Sequence, residues 1–138
     1  MEYHAGRLLD HVHLRVTDLQ RSAHFYRAVL SVLTPPVDVT EGPGYFAADE
    51  LYLSEGDGPI SSVHLAFQTG DPATVRRFHE AALAAGGVDN GAPGERSYHP
   101  GYYAAYVLDP DGNNVEAVFH GPATRSAESV VITPAGPA

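Results

Sequence analysis

The sequence predicts an α+β fold in which two βαβββ repeats form one partly closed mixed sheet with the helices on its outer face. Sliding the chain over itself by 53 residues superimposes His11 on His64, Asp18 on Asp71, Phe25 on Phe78, Ala28 on Ala81 and Leu30 on Leu83. In each copy, alternating apolar and polar residues give way at the aligned aspartate to helical apolar spacing. Short extended segments broken by Gly and Pro follow both helices. Helices covering one sheet face leave the other free to become a pocket.

The first repeat, about residues 8–55, opens with a strand from Leu9 to Val16. Asp18 caps a helix reaching about Leu33, with Phe25, Val29 and Leu33 as its stripe, and Pro35-Pro36 stops it. Extended segments are expected at Val37–Thr40, Tyr45–Ala48 and Leu51–Ser54. The second repeat, about residues 61–121, starts with a strand from Ser62 to Gln68. Its helix has Asp71 as cap, Pro72 in the first turn, Val75, Phe78 and Ala82 on one stripe, and Gly86-Gly87 as terminator. A weaker extended candidate lies around Val88, and firmer ones at Tyr102–Leu108 and Asn114–His120. Between the last two, Asp109-Pro110-Asp111-Gly112 suits a type I turn followed by a left-handed glycine, which pairs Asp109 with Asn113 and sets Tyr106 opposite Glu116. Residues 1–122 read as one domain, and 123–138, with only Val130-Val131-Ile132 apolar, as an arm or tail.

A chain of 138 residues with a formal charge of −9 repels nucleic acid and anionic membrane surfaces. It has no cysteine, so any metal must be held by nitrogen and oxygen. Without an apolar leader or a span-length apolar run, a cytoplasmic protein is expected.

Strand parity then sorts the polar residues. Val12, Leu14 and Val16 form an apolar face, so His11, His13 and Arg15 share the other. Val63, Leu65 and Phe67 leave His64 on the open side, and Val115, Ala117 and Phe119 leave Glu116 there. A glutamate between two apolar residues needs a counter-charge or a metal if it is buried. Two imidazoles and a carboxylate on one open face suit one divalent metal ion, Fe(II) or Mn(II) foremost, with Zn(II) and Ni(II) as alternatives. Arg15 is placed to clamp an anionic group or to pair with Glu116, Tyr106 to donate a proton or to pack with its hydroxyl bonded across the hairpin, and His99, before a Pro-Gly turn, to act as a lid residue or base. His24 and His79 read as solvated, Glu95-Arg96 as an exposed loop, and His4 as a histidine without context.

Asp10-His11-Val12-His13-Leu14-Arg15-Val16-Thr17-Asp18-Leu19, Ser22 with Phe25-Tyr26, Val63-His64-Leu65-Ala66-Phe67, and Leu108-Asp109-Pro110-Asp111-Gly112-Asn113-Asn114-Val115-Glu116 together resemble the vicinal oxygen chelate superfamily. That superfamily includes glyoxalase I, bleomycin-resistance proteins, fosfomycin-resistance thiol transferases and extradiol dioxygenases. The resemblance implies a glyoxalase-like fold and metal ligation by His11, His64 and Glu116. Tyr52 stands where glyoxalase I has a fourth ligand, which points to a three-ligand site. His13, on the ligand face, and Tyr102, at the pocket mouth, both by parity, are expected with Tyr52 to line it for substrate. Tyr106, ten residues before Glu116, matches a tyrosine of both the dioxygenases and the thiol transferases. The expectation is a metal-dependent enzyme acting on a small oxygen-bearing substrate, dioxygenase-like or lyase/isomerase-like, and a homodimer. The alternative is an antibiotic-resistance protein, either a thiol transferase or a drug-sequestering binder.

Overall fold

A computed structural model describes residues 3–5, of which only the backbone, 8–56 and 58–136, so the side chain of His4 lies outside the described part. The first repeat consists of β2 (Val12–Val16), α1 (Leu19–Leu30), β3 (Val39–Gly42), β4 (Tyr45–Ala48) and β5 (Leu51–Glu55). The second consists of β6 (His64–Gln68), α2 (Pro72–Ala84), β7 (Val88–Glu95), β8 (Tyr103–Leu108) and β9 (Asn114–Phe119). Each repeat makes its own four-stranded mixed sheet, in the orders β2-β5-β4-β3 and β6-β9-β8-β7, and the sheets do not close on each other. The weak candidate at Val88 is an eight-residue strand whose register shifts twice, between Asp89 and Gly91 and between Gly91 and Gly94. Irregular pairing of that kind hides strand periodicity from the sequence.

The helices start at the expected caps: Asp18 accepts from the amide of Arg21 and Asp71 from that of Thr74. Helix α1 ends at Leu30, about three residues sooner than its apolar stripe suggests, with the Ser31 hydroxyl bonded back to the Ala28 carbonyl. Leu33 is still buried, but from the following turn. The opening strand is also shorter than expected, beginning at Val12, so His11 precedes it. Part of the C-terminal segment is ordered into β10 (Val130–Ile132), which pairs antiparallel with β1 (Tyr3–Ala5). None of the described helices is long and apolar enough to cross a membrane.

Parity holds on both sheets. Leu14, Leu53 and Phe46 lie side by side across β2, β5 and β4 and are buried, whereas His13, Tyr52 and Ala47 form the parallel row on the opposite face. In the second sheet, Val115, Val107, Ala105 and Ala117 are buried toward α2. The two helices meet, and one hydrophobic core runs through Phe25, Val29, Phe46, Phe78, Val107 and Val115. At this junction a Cβ on Gly87 would come within 2.4 Å of Val107 and 2.8 Å of Phe25, so only glycine fits.

The β8–β9 turn is the fastener between repeats. Asp109 and Asn113 pair through the backbone, with Gly112 left-handed at φ 85°, and the Asp109 carboxylate accepts from the amides of Asp111 and Asn113. The buried Tyr26 hydroxyl of α1 donates to Asp109 at 2.6 Å. The Thr17 amide donates to Asp111, and the Val63 amide to the Asn113 side chain. Burial, then the adjacent Asp109 charge, hold the Tyr26 phenol well above its ordinary range. A phenol pKa raised by folding contributes stability below the unfolded value of 10.0, and this contribution is lost as pH rises toward the folded value. Tyr26→Phe should therefore cost about 1–3 kcal/mol in urea unfolding at pH 7. The wild-type advantage should shrink as the titration is repeated above pH 10.

Candidate functional site

The open face of the second sheet is built around Glu116. Backbone register places it between Ala66 of β6 and Tyr106 of β8, so its neighbours are fixed by strand pairing before any side chain is considered. Glu116 is 1% exposed although its face is the open one. Its Oε1 lies 2.7 Å from His64 Nε2, and Tyr102 donates its hydroxyl to Oε2. Both carboxylate oxygens thus have polar partners, which a buried carboxylate requires. The His64 side chain remains 54% exposed, so the pair is open to solvent from the imidazole side. The Tyr106 ring lies 6.1 Å from that of His64.

Both phenols resist ionisation. Burial first, and then the hydrogen bond and charge of Glu116, push Tyr102 far above its ordinary value of 10.0, while burial and the Glu116 charge raise Tyr106. At neutral pH the two hydroxyls are proton donors rather than bases.

Tyr102 is braced by aromatic rings. Tyr98, His99 and His120 all meet it edge to face, at 4.9, 5.3 and 5.1 Å. His99 does not touch Glu116. Its Nδ1 donates to the Pro100 carbonyl, so in the neutral pair its Nε2 accepts the proton of His120 Nδ1, at 2.9 Å. This clasp shuts the turn His99-Pro100-Gly101-Tyr102, in which Gly101 at φ 88° takes the left-handed position of a type II turn. Sequence parity put Tyr102 at the mouth of the pocket; its direct bond to Glu116 depends on this turn, which parity does not describe.

The first sheet holds the other expected residues. His11 precedes β2 and is bonded to Asp10 at 2.7 Å, and it lines a cleft of about 290 Å³ with His13, Ala47, Asp49, Leu51 and Tyr52. His13 bonds Ser54 and meets the Tyr52 ring edge to face, while Tyr45 stacks on Tyr52 at 5.8 Å. Arg15 lies in the adjacent row, beside Ser54; its Nε is buried without a hydrogen-bond partner, and it does not pair with Glu116. One chain therefore unites His64 with Glu116, Tyr102 and Tyr106, and separately groups His11 with His13 and Tyr52. Among the described residues no three His, Cys, Asp or Glu side chains converge as a metal cluster.

Two readings of polar residues as solvated are corrected. His79 is 14% exposed and bonded to Asp89, tying α2 to β7, because the helix turns that residue toward its own sheet. Arg96 is not in a free loop. It follows β7 directly and lies 5.2 Å over the Tyr106 ring, a placement set by strand irregularity that the sequence pattern does not encode.

A family model described as Glyoxalase/Bleomycin resistance protein/Dioxygenase superfamily matches residues 8–117. Among solved structures, the chain is similar to a glyoxalase/bleomycin resistance protein from Albidiferax ferrireducens, with 27% identity, 80% of this chain and 97% of that one covered, and a TM-score of 0.64. A glyoxalase-related enzyme from Fulvimarina pelagi aligns at 23% identity over 94% of this chain and 99% of its own, with a TM-score of 0.66. An oxidase, ChaP-H2, aligns at 22% identity over 88% and 95%, with a TM-score of 0.58. No curated protein matches.

Tyr102→Phe removes the donor to Glu116 Oε2 while keeping the ring in its aromatic brace. The metal-free protein should lose about 1–3 kcal/mol of stability, read as a lower urea midpoint with an unchanged slope.

Proposed function

The chain belongs to the glyoxalase/bleomycin resistance protein/dioxygenase superfamily, and on that premise we propose that it is a metal-dependent enzyme acting on a small oxygen-bearing substrate. The observation that carries this reading is the buried Glu116 carboxylate held 2.7 Å from a half-exposed imidazole on an open sheet face. Nitrogen and carboxylate oxygen side by side are the donor types that Fe(II), Mn(II), Zn(II) and Ni(II) accept. His64 and Glu116 would hold the ion, with His11 as the third ligand. A bound divalent ion would supply Lewis acidity toward two vicinal oxygens of the substrate, in dioxygenase-like or lyase/isomerase-like chemistry.

The rest is done by the chain itself. Tyr106, neutral and next to the His64–Glu116 pair, donates a proton to a substrate oxygen on which charge develops. Tyr102 fixes the second oxygen of Glu116 and prevents the carboxylate from rotating. His13 and Tyr52 line the substrate side of the His11 cleft, and Arg15 stands beside them.

Because one chain groups His11 apart from His64 and Glu116, the proposed centre is completed in a homodimer, with His11 from one protomer and the other two ligands from its partner. Two features support this. The strands β2 and β6 each end their sheets, and both open faces present polar and aromatic rows. A closed two-fold pair would bring the first sheet of one copy against the second sheet of the other.

Metal analysis of protein purified without chelator tests the centre, since His64→Ala and Glu116→Ala should each lower the content to background. Equal metal in wild type and variants would remove the reading. A mixture tests the shared site. His11→Ala and His64→Ala chains refolded together should regain about one quarter of the wild-type metal, because half the dimers are mixed and each carries one intact site. A site within one chain would regain none. Dioxygen uptake with a catechol panel, compared with turnover of a thiol–aldehyde adduct, then separates the two chemistries.

A further inference from the structure

Against Tyr106, the neighbour of the His64–Glu116 pair, lies a cation with its own seat. The Arg96 guanidinium lies on the face of Tyr106, its Nη2 donating to the Ala92 carbonyl at 2.7 Å and its Nη1 to the Glu95 carbonyl at 3.2 Å. Two glycines clear the space it occupies. A Cβ on Gly91 would come within 3.3 Å of Nη2 and within 2.8 Å of the Tyr106 ring, and one on Gly94 within 3.1 Å of Nη1. These glycines flank the second register shift of β7, so the strand is opened where the guanidinium rests.

Such a seat fixes position without neutralising charge. Two carbonyls and an aromatic face orient the group, yet Arg96 pairs with no carboxylate among the described residues. Glu116, which lies opposite Tyr106 in register, is engaged by His64 and Tyr102. Leaving a partly buried arginine unpaired is notable in a chain whose acidic residues outnumber its basic ones by 17 to 8. With two of its five N–H groups spent on carbonyls, the guanidinium keeps donors for a planar or tetrahedral oxyanion.

We propose that Arg96, seated on Tyr106 next to the His64–Glu116 pair, is the counter-charge for an oxyanion on the substrate, which makes that substrate a small carboxylate or phosphonate. This deepens the preceding reading and rests on it for the identity of the reaction centre. It assigns Arg96 to binding; the proton transfer stays with Tyr106.

The test is calorimetric titration with phenylphosphonate and benzoate, on protein as purified and again after EDTA treatment. Wild type should bind one or both anions in either state, at least about tenfold more tightly than neutral benzyl alcohol. Arg96→Gln, checked for folding by circular dichroism, should weaken anion binding about tenfold or more while leaving the metal content of the purified protein unchanged; Arg21→Gln, on α1, should bind like wild type. Preference for phenylphosphonate or for benzoate identifies the anion. Equal binding of the anions and benzyl alcohol by wild type overturns the proposal without recourse to any variant, and so does a folded Arg96→Gln protein that binds like wild type. The two readings fail separately. Arg96-dependent binding in a protein that never holds metal would sink the metal centre alone, and a metal-loaded protein with no Arg96-dependent binding would sink this inference alone.

Discussion

Burying a carboxylate in the middle of a sheet is the constraint around which the second repeat is arranged. An isolated buried carboxylate costs several kcal/mol, so Glu116 requires partners from more than one element. β6 supplies His64, and the turn before β8 supplies Tyr102. The flanking rings of Tyr98, His99 and His120 then restrict Tyr102, and the His99–His120 bond restricts the turn itself. What begins as one desolvated charge fixes the positions of an edge strand, a turn and a four-ring cluster.

That arrangement depends on a second buried acid. Asp109 sets the β8–β9 turn through the amides of Asp111 and Asn113, and the turn sets the register that puts Tyr106 opposite Glu116. A slip of one residue would turn Glu116 into the hydrophobic core and Val115 to the open face. The same turn is bonded to Tyr26 and Thr17, so the device that fixes register in one repeat also fastens it to the other.

Sequence periodicity reveals features that repeat with the backbone and misses those that depend on its irregularities. The repeat, both N-caps, the glycine-terminated α2 and the pairing of Tyr106 with Glu116 all follow from spacing, because strand parity and turn type leave few alternatives. His64 and Glu116 were placed together by the same logic. His79 was misread because its partner Asp89 sits on a strand whose register is broken. Arg96 was misread because its seat is made of missing side chains, Gly91 and Gly94, and of backbone carbonyls. Tyr102 was placed at the site, but its bond to Glu116 arises from a type II turn rather than from strand alternation.

The His64–Glu116 contact also bears on how a metal would enter. A nitrogen and a carboxylate oxygen 2.7 Å apart are held by a proton between them. His64 and Glu116 would offer a divalent ion one nitrogen and one carboxylate oxygen, and without it each satisfies the other, so the metal-free pair is a satisfied state rather than a strained one. The Tyr102 bond to the other carboxylate oxygen can persist in both states. Under the proposed assignment, Glu116 keeps one partner while exchanging the other. One buried carboxylate would then serve both the stability of the metal-free fold and the chemistry of the loaded one.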